Sequence, residues 1–189
     1  MRWQQLFADL QAQFEAEATA AEQAESASRA RTEVGSLGIV DRLRGALGLP
    51  LVLACGAAGT VSGVLVEVGP DWLLVEDDGA RQCLVALAAV RSVSGLSRRT
   101  AVPENVGPVR GQLNLRRALR GLARDRSAVQ IVLDDGGVLS GTLDRVGADY
   151  VELAEHAADL PRRAEAVQGV RAVVIAGIAV VRTVTPGLG

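Results

Sequence analysis

Two stretches of this chain, SGVLVEVGPDWLLV at residues 62–75 and SGTLDRVGADYVEL at residues 140–153, follow one pattern. Both read S-G-x-L-x-x-V-G-x-D, then an aromatic residue, an apolar residue, any residue and an apolar residue. Each contains two apolar runs separated by a Gly-x-Asp turn, which is typical of two short β-strands joined tightly. Self-similarity at a spacing of 78 residues, from Ser62 to Ser140, indicates an internal duplication.

The similarity extends to both sides of these stretches. LRGAL at 43–47 resembles LRGLA at 119–123, which predicts a short helix ahead of the first strand of each unit. VRSV at 90–93 matches VRTV at 181–184 with a spacing of 91, so the second unit is expected to carry about 13 extra residues. The predicted strands are 51–55, 60–68, 72–76, 82–87 and 90–94 in the first unit, and 129–133, 138–146, 150–154, 172–175 and 179–184 in the second.

These strands are short and bent. Gly63, in the middle of a strand, marks a sharp bend or bulge that lets one strand serve both halves of a small barrel. Trp72 and Tyr150 open the third strand of each unit, where a large ring can plug a barrel mouth. We therefore expect a mainly β protein with helices, in which two tandem helix-plus-five-strand barrels follow an N-terminal α-helix, each barrel closed and without a long free edge.

The combination of a short helix, a strand with a central glycine, a V-G-x-D turn and a closing V-x-x-V strand resembles the Sm-like fold. This small SH3-like barrel occurs in the RNA-associated Sm family and in bacterial Sm-like proteins. The resemblance covers about residues 37–95 and 112–187. It implies a scaffold of two Sm-like barrels in one chain.

The residues that read RNA bases in the Sm family are missing. In that family an Asp and an Asn between strands 2 and 3, with an Arg-Gly pair between strands 4 and 5, form the base pocket. Gly69 and Leu73 stand at the Asp and Asn positions of the first unit, and Gly147 and Val151 in the second. The turns at 87–89 and 176–178 lack the Arg-Gly pair. The resemblance therefore implies the scaffold without the base-reading chemistry.

Residues 1–33 form a separate N-terminal segment. Trp3, Phe7, Leu10 and Phe14 recur at spacings of 4, 3 and 4, which places them on one face of an amphipathic helix. One interpretation is that the first turns pack on the body of the protein while the rest is solvated. The other is that the aromatic stripe binds a protein partner or a second copy. The predicted domains are this helix, barrel 1 at 37–97, an arginine-containing linker at 98–111, and barrel 2 at 112–187 with a helix at 112–126 and an insertion at about 155–170.

Positive charge is concentrated between the two units. From Arg91 to Arg126 there are nine arginines and two acids, although the whole chain has a net charge of -2. In the predicted helix, arginines occupy the side opposite Leu115, Leu119 and Leu122. A phosphate-contacting stripe is one interpretation, and a solvated face that pairs with acidic protein surface is the other. The candidate nucleic-acid-binding residues are Arg98, Arg99, Arg110, Arg116, Arg117, Arg120 and Arg124.

Residues suited to catalysis or metal binding are few. The single histidine, His156, falls in the polar insertion and is expected to be solvated, and Cys55 and Cys83 are expected to be small core residues. The acids at 76–78 occupy a hairpin with Gly79, where acids are ordinary turn residues. The glycine-rich stretches lack the phosphate-loop pattern. We therefore predict no enzymatic activity, no metal and no cofactor.

Location and function are expectations of the same kind. The N-terminus lacks the pattern of a secretory signal, and the apolar run at 172–181 is shorter than the ~20 residues of a spanning helix, so it is predicted to be a buried strand. We expect a cytoplasmic protein with no membrane contact. The favoured function is a non-catalytic scaffold or protein-interaction protein that associates through the N-terminal helix. The alternative is an RNA- or DNA-binding regulator that uses the arginine-rich linker and helix.

Overall fold

The computed structural model describes residues 2–97, 113–156 and 169–184. The chain divides into two units, Met1–Ile39 and Val40–Gly189. The predicted linker at 98–111 and most of the predicted insertion lie outside the described residues. Within the described part of the chain, no helix combines the length and the apolar character needed to cross a membrane.

Helix α1 spans Arg2–Ser36 and accounts for nearly all of the first unit. Its abundance of alanine, glutamate and glutamine explains why it continues as a helix for 35 residues, somewhat beyond the predicted end at 33. Phe14 is 70% exposed. The side chains of Trp3, Phe7 and Leu10 lie outside the described residues, so a partner-binding stripe stays a prediction.

The second unit contains two matched sets of strands, each preceded by a helix. Repeat 1 denotes residues 39–94, and repeat 2 denotes residues 115–183. The elements of repeat 1 are α2 (Ile39–Arg44), β1 (Pro50–Ala54), β2 (Thr60–Val68), β3 (Trp72–Glu76), β4 (Gln82–Ala86) and β5 (Ser92–Ser94), with 3-10 turns at Gly56–Ala58 and Leu87–Ala89. Those of repeat 2 are α3 (Leu115–Asp125), β6 (Ala128–Leu133), β7 (Val138–Val146), β8 (Tyr150–Glu155), β9 (Gly169–Val174) and β10 (Ile178–Thr183), with a 3-10 turn at Ile175–Gly177.

All described strands belong to one antiparallel sheet in the order β5-β1-β2-β3-β4-β10-β6-β7-β8-β9. Both repeats therefore have the same internal order, and β4 of repeat 1 joins β10 of repeat 2. The prediction of two closed barrels without a free edge is not confirmed, because this sheet is open. The edge of β4 that would close a barrel is occupied by β10, and β5 and β9 are the two outer strands among the described residues.

The duplication itself is confirmed by strand register. Leu65 lies opposite Val75 in repeat 1, and Leu143 lies opposite Leu153 in repeat 2, which reproduces the spacing of 78 residues. Both β2 and β7 also carry a bulge directly after these leucines. The same backbone irregularity at the same position indicates two copies of one unit.

The spacing predicted for the last strands is wrong. The 3-10 turns begin at Leu87 and Ile175, which are 88 residues apart rather than 91. Register agrees, because Val93 lies opposite Leu53 while Val181 lies opposite Ile131. The second copy therefore carries 10 extra residues, the difference between 88 and 78. Both segments contain valines three residues apart, so VRSV and VRTV match in sequence at a spacing that is three residues too long.

Much of the core is repeated as well. Five fully buried large residues of repeat 1 have fully buried counterparts in repeat 2, which is expected where strands of the same bend and register enclose the same volume. Cys55 and Cys83 are buried free thiols, as predicted. The matched core pairs are Leu43 with Leu119, Leu53 with Ile131, Leu65 with Leu143, Leu73 with Val151 and Val75 with Leu153.

Candidate functional site

The two repeats are joined by strand pairing between β4 and β10. Val180 lies opposite Val85, and Val181 lies opposite Leu84. These four side chains are buried. The joint therefore combines backbone hydrogen bonding with burial of an apolar strand edge, as in the interior of a sheet.

A second contact fastens repeat 2 to the turn between β2 and β3. The indole Nε1 of Trp72 donates to the carbonyl oxygen of Leu113 at 2.6 Å, and Asp71 Oδ1 accepts from the backbone N–H of Leu115 at 2.7 Å. The side chain of Asn114 caps the same helix by accepting from the N–H of Arg117 at 3.1 Å. Asp71 thus fastens α3 to repeat 1 by accepting from a first-turn N–H group that has no partner within the helix.

Repeat 2 has the corresponding surface at its outer end, and in the described part of the chain no strand or helix covers it. Tyr150 replaces Trp72 and is 39% exposed, whereas Trp72 is only 6% exposed. Val174 occupies the position of Ala86 and is 61% exposed, and Val170 on the same strand is 63% exposed. We call β9 together with Tyr150 the outer edge of repeat 2. This edge is an uncovered counterpart of the surface that repeat 1 uses to hold repeat 2.

The opposite end of the sheet offers the complementary strand. Ser92, Val93 and Ser94 of β5 correspond by register to Val180, Val181 and Arg182 of β10, the three residues that pair with β4. The sequence predicted both outer strands, β5 at 90–94 and β9 at 172–175, but not their position at the two ends of one sheet. It predicted that residues 172–181 form one buried strand, but Ala172, Val174 and Ala176 are exposed and the segment is divided between β9, a 3-10 turn and β10. The corrected spacing of 88 residues is the signal that matches β9 to β4.

The predicted arginine face of α3 is formed in part, within a helix that begins at Leu115 rather than at 112. Leu115 and Leu119 are buried, whereas Arg117, Arg120 and Arg124 are exposed. Arg116 is half-buried, and its Nε atom has no hydrogen-bond partner. Arg98, Arg99 and Arg110 lie outside the described residues.

The prediction of a solvated His156 is wrong. Strand β8 continues through Glu155, so His156 lies at the strand end, where its backbone N–H donates to the carbonyl of Ser140 at 3.2 Å. Its side chain is only 3% exposed, and its Nε2 lies 2.8 Å from Oγ1 of Thr142, which is also buried. A buried polar ring with a hydrogen-bond partner is a structural element of the core.

Two other residues with potentially reactive side chains, Cys55 and Asp77, lie in ordinary structural surroundings. Burial raises the pKa of the Cys55 thiol, although nearby Arg182 and Arg91 lower it, so the thiol is protonated at neutral pH. The pKa of Asp77 is lowered chiefly by a hydrogen bond from the backbone N–H of Arg81. Gly79 also donates to this carboxylate, at 2.9 Å, which is the ordinary role of an acid in a hairpin.

Within residues 2–97, 113–156 and 169–184, no group of three or more His, Cys, Asp or Glu side chains is placed to hold a metal ion. The chain matches no family model and no curated protein. The structural features that indicate a function are therefore the outer strand edges and the arginine face of α3.

Proposed function

We propose that this chain is a non-catalytic interaction protein, built from two Sm-like repeats, that assembles with further copies of itself through the outer edge of repeat 2. The Sm-like assignment is supported by the helix and five strands of each repeat, with the glycine bend and the V-G-x-D turn in both. The observation that carries the proposal is the exposure of Ala172 and Val174 on β9, whose counterparts Leu84 and Ala86 on β4 are buried.

Pairing of another strand with the outer edge of repeat 2 is energetically favourable. An outer strand presents unpaired N–H and C=O groups, and it is a template for another strand. Two exposed valines add apolar surface that gains free energy on burial. Strand β5 of a second copy supplies the three positions that β10 supplies within the chain. Because the two surfaces differ, each added copy presents a new outer edge, and assembly continues until a ring closes or a filament forms.

The test is the mass of the protein in solution. Wild-type protein should have a mass that is a multiple of 19.7 kDa by size-exclusion chromatography with light scattering. The double variant V170K/V174K should weaken association by roughly a hundredfold or more and return the mass to 19.7 kDa, because it places two charges where the valines would be buried. V66K is the matched control, since Val66 is an exposed valine on the inner strand β2.

A wild-type protein that stays at the mass of one chain at micromolar concentration would overturn the proposal. An assembled V170K/V174K would also overturn it. In that second case, loss of mass in F7S/F14S would assign association to α1, the site favoured by the sequence, where Phe14 is exposed.

The alternative function is nucleic-acid binding, and the exposure of Arg117, Arg120 and Arg124 along one face of α3 favours it. Arg124 lies next to one acid, Asp125, whose Oδ1 is 3.8 Å from Arg124 Nε. Three phosphate contacts would lower affinity about 40-fold between ~50 and ~200 mM salt.

Fluorescence anisotropy of labelled RNA and duplex DNA measures this dependence. R117Q/R120Q/R124Q should lose most of the binding. The control R81Q/R145Q/R171Q removes the same charge from exposed positions elsewhere. Equal loss in both triple variants would exclude α3 as the site, and absence of binding at ~50 mM salt would exclude the function.

A further inference from the structure

A cavity of about 600 Å³ lies where the two repeats meet, beside the β4–β10 pair. The start of β2 and the β3–β4 hairpin line it from repeat 1, and β6 and the end of β10 line it from repeat 2. Its volume falls in the range of sites that hold small molecules. Its polar lining includes Thr60, Ser62, Gln130, Arg182 and Thr183.

Arg182 is one of three charged residues in this lining, with Asp77 and Arg81. In the sheet it lies between Cys83 of β4 and Gln130 of β6, so its backbone is held by both repeats. Its side chain is half-buried, and among the described residues no side chain or carbonyl forms an ion pair or hydrogen bond with its guanidinium. A partly desolvated cation without a counter-ion attracts an anion more strongly than one in water does.

The acid in the cavity wall does not neutralise Arg182. Both carboxylate oxygens of Asp77 are engaged, because Oδ1 accepts from Gly79 and Arg81 while Oδ2 accepts from Arg81 Nε at 2.9 Å. The remaining polar lining consists of Arg81, which is paired with Asp77, and of neutral donors: the hydroxyls of Thr60, Ser62 and Thr183 and the amide of Gln130. Donors that approach from several directions suit a tetrahedral oxyanion, and guanidinium groups pair well with phosphate.

We propose that this cavity binds a small phosphorylated metabolite, with its phosphate group on Arg182 and its organic part in the remaining volume beside Val61 and Val184. The ligand would contact both repeats at once and would stabilise their joint, since a ligand that binds only the folded state raises its stability. This site faces the interior joint rather than the outer edge of repeat 2, so it is independent of assembly.

Thermal unfolding in increasing inorganic phosphate tests the proposal, with sodium chloride at matched ionic strength as the reference. The melting temperature of the wild-type chain should rise saturably by a few degrees in millimolar phosphate. R182Q should remove this rise. R145Q is the matched control, because Arg145 is an exposed arginine on β7 outside the cavity, and it should keep the full rise.

A second variant keeps the test decisive if R182Q does not fold. Ser62 is exposed at the rim, so S62D adds a negative charge without disturbing the core, and it should weaken the phosphate effect at least tenfold. The proposal fails if phosphate acts no differently from chloride. It also fails if folded R182Q or S62D responds as the wild type does, or if R145Q loses the effect.

Discussion

Replacing Gly141 with alanine is expected to lower the free energy of unfolding by about 3 kcal/mol or more. A Cβ atom built at Gly141 overlaps the carbonyl oxygen of Ala154 on the neighbouring strand β8. Relief requires the two strands to move apart at the bend, which disturbs the buried side chains on both. Gly63 meets the carbonyl of Glu76 in the same way, so G63A is expected to behave alike.

Equilibrium urea unfolding measures this loss, and the chain offers a control of the same chemistry. Gly121 lies within α3, and a Cβ there meets no atom within 4 Å. G121A should therefore leave stability unchanged or raise it by about 0.5 to 1 kcal/mol, because alanine favours the helix. Wild-type stability in G141A and G63A would show that the strands do not approach this closely in solution.

Trp72→Ala is expected to cost about 3 to 5 kcal/mol, whereas Tyr150→Ala at the equivalent position of repeat 2 should cost about 1 to 2 kcal/mol. Both rings pack on a glycine, Gly69 or Gly147, so that contact is the same in the two repeats. Only Trp72 is also covered, and its Nε1 donates to Leu113 at the start of α3. The difference between the two variants therefore combines what repeat 2 adds at the joint with the larger apolar area of the indole.

The comparison is made in dilute protein, where copies are separate, by urea unfolding followed by circular dichroism. Trp72→Phe keeps most of the ring and removes the hydrogen bond, so it should lose about 1 kcal/mol. Equal losses in the two alanine variants would contradict the assignment of Trp72 to the joint. If the wild-type chain, but not Y150A, becomes more stable at high protein concentration, this gain would agree with a second copy covering the outer edge of repeat 2.

Strands β2, β3, β7 and β8 were placed almost residue for residue by sequence analysis. Their bounds depend on local features: the turn at Gly69, the corresponding turn at Gly147, and aromatic residues that start β3 and β8. Such features act within a few residues, so their signal is present in the sequence itself. The arginine and leucine faces of α3 were predicted for the same reason, since helical periodicity is local.

Other properties depended on which distant segments meet. The partner of β4 is β10, almost a hundred residues away, and no local pattern distinguishes that pairing from closure by β5. The burial of His156 likewise depends on its contact with Thr142 on another strand. The cavity around Arg182 exists only because both repeats contribute walls.

The sequence by itself therefore determined the duplication, the β-rich class, the glycine bends and the amphipathic α3, because these follow from residues close together in the chain. The tertiary structure alone decided that the sheet is open, which edges are covered and where a cavity forms. Strand pairing and burial are non-local, and their free energy depends on surfaces that come together only in the fold.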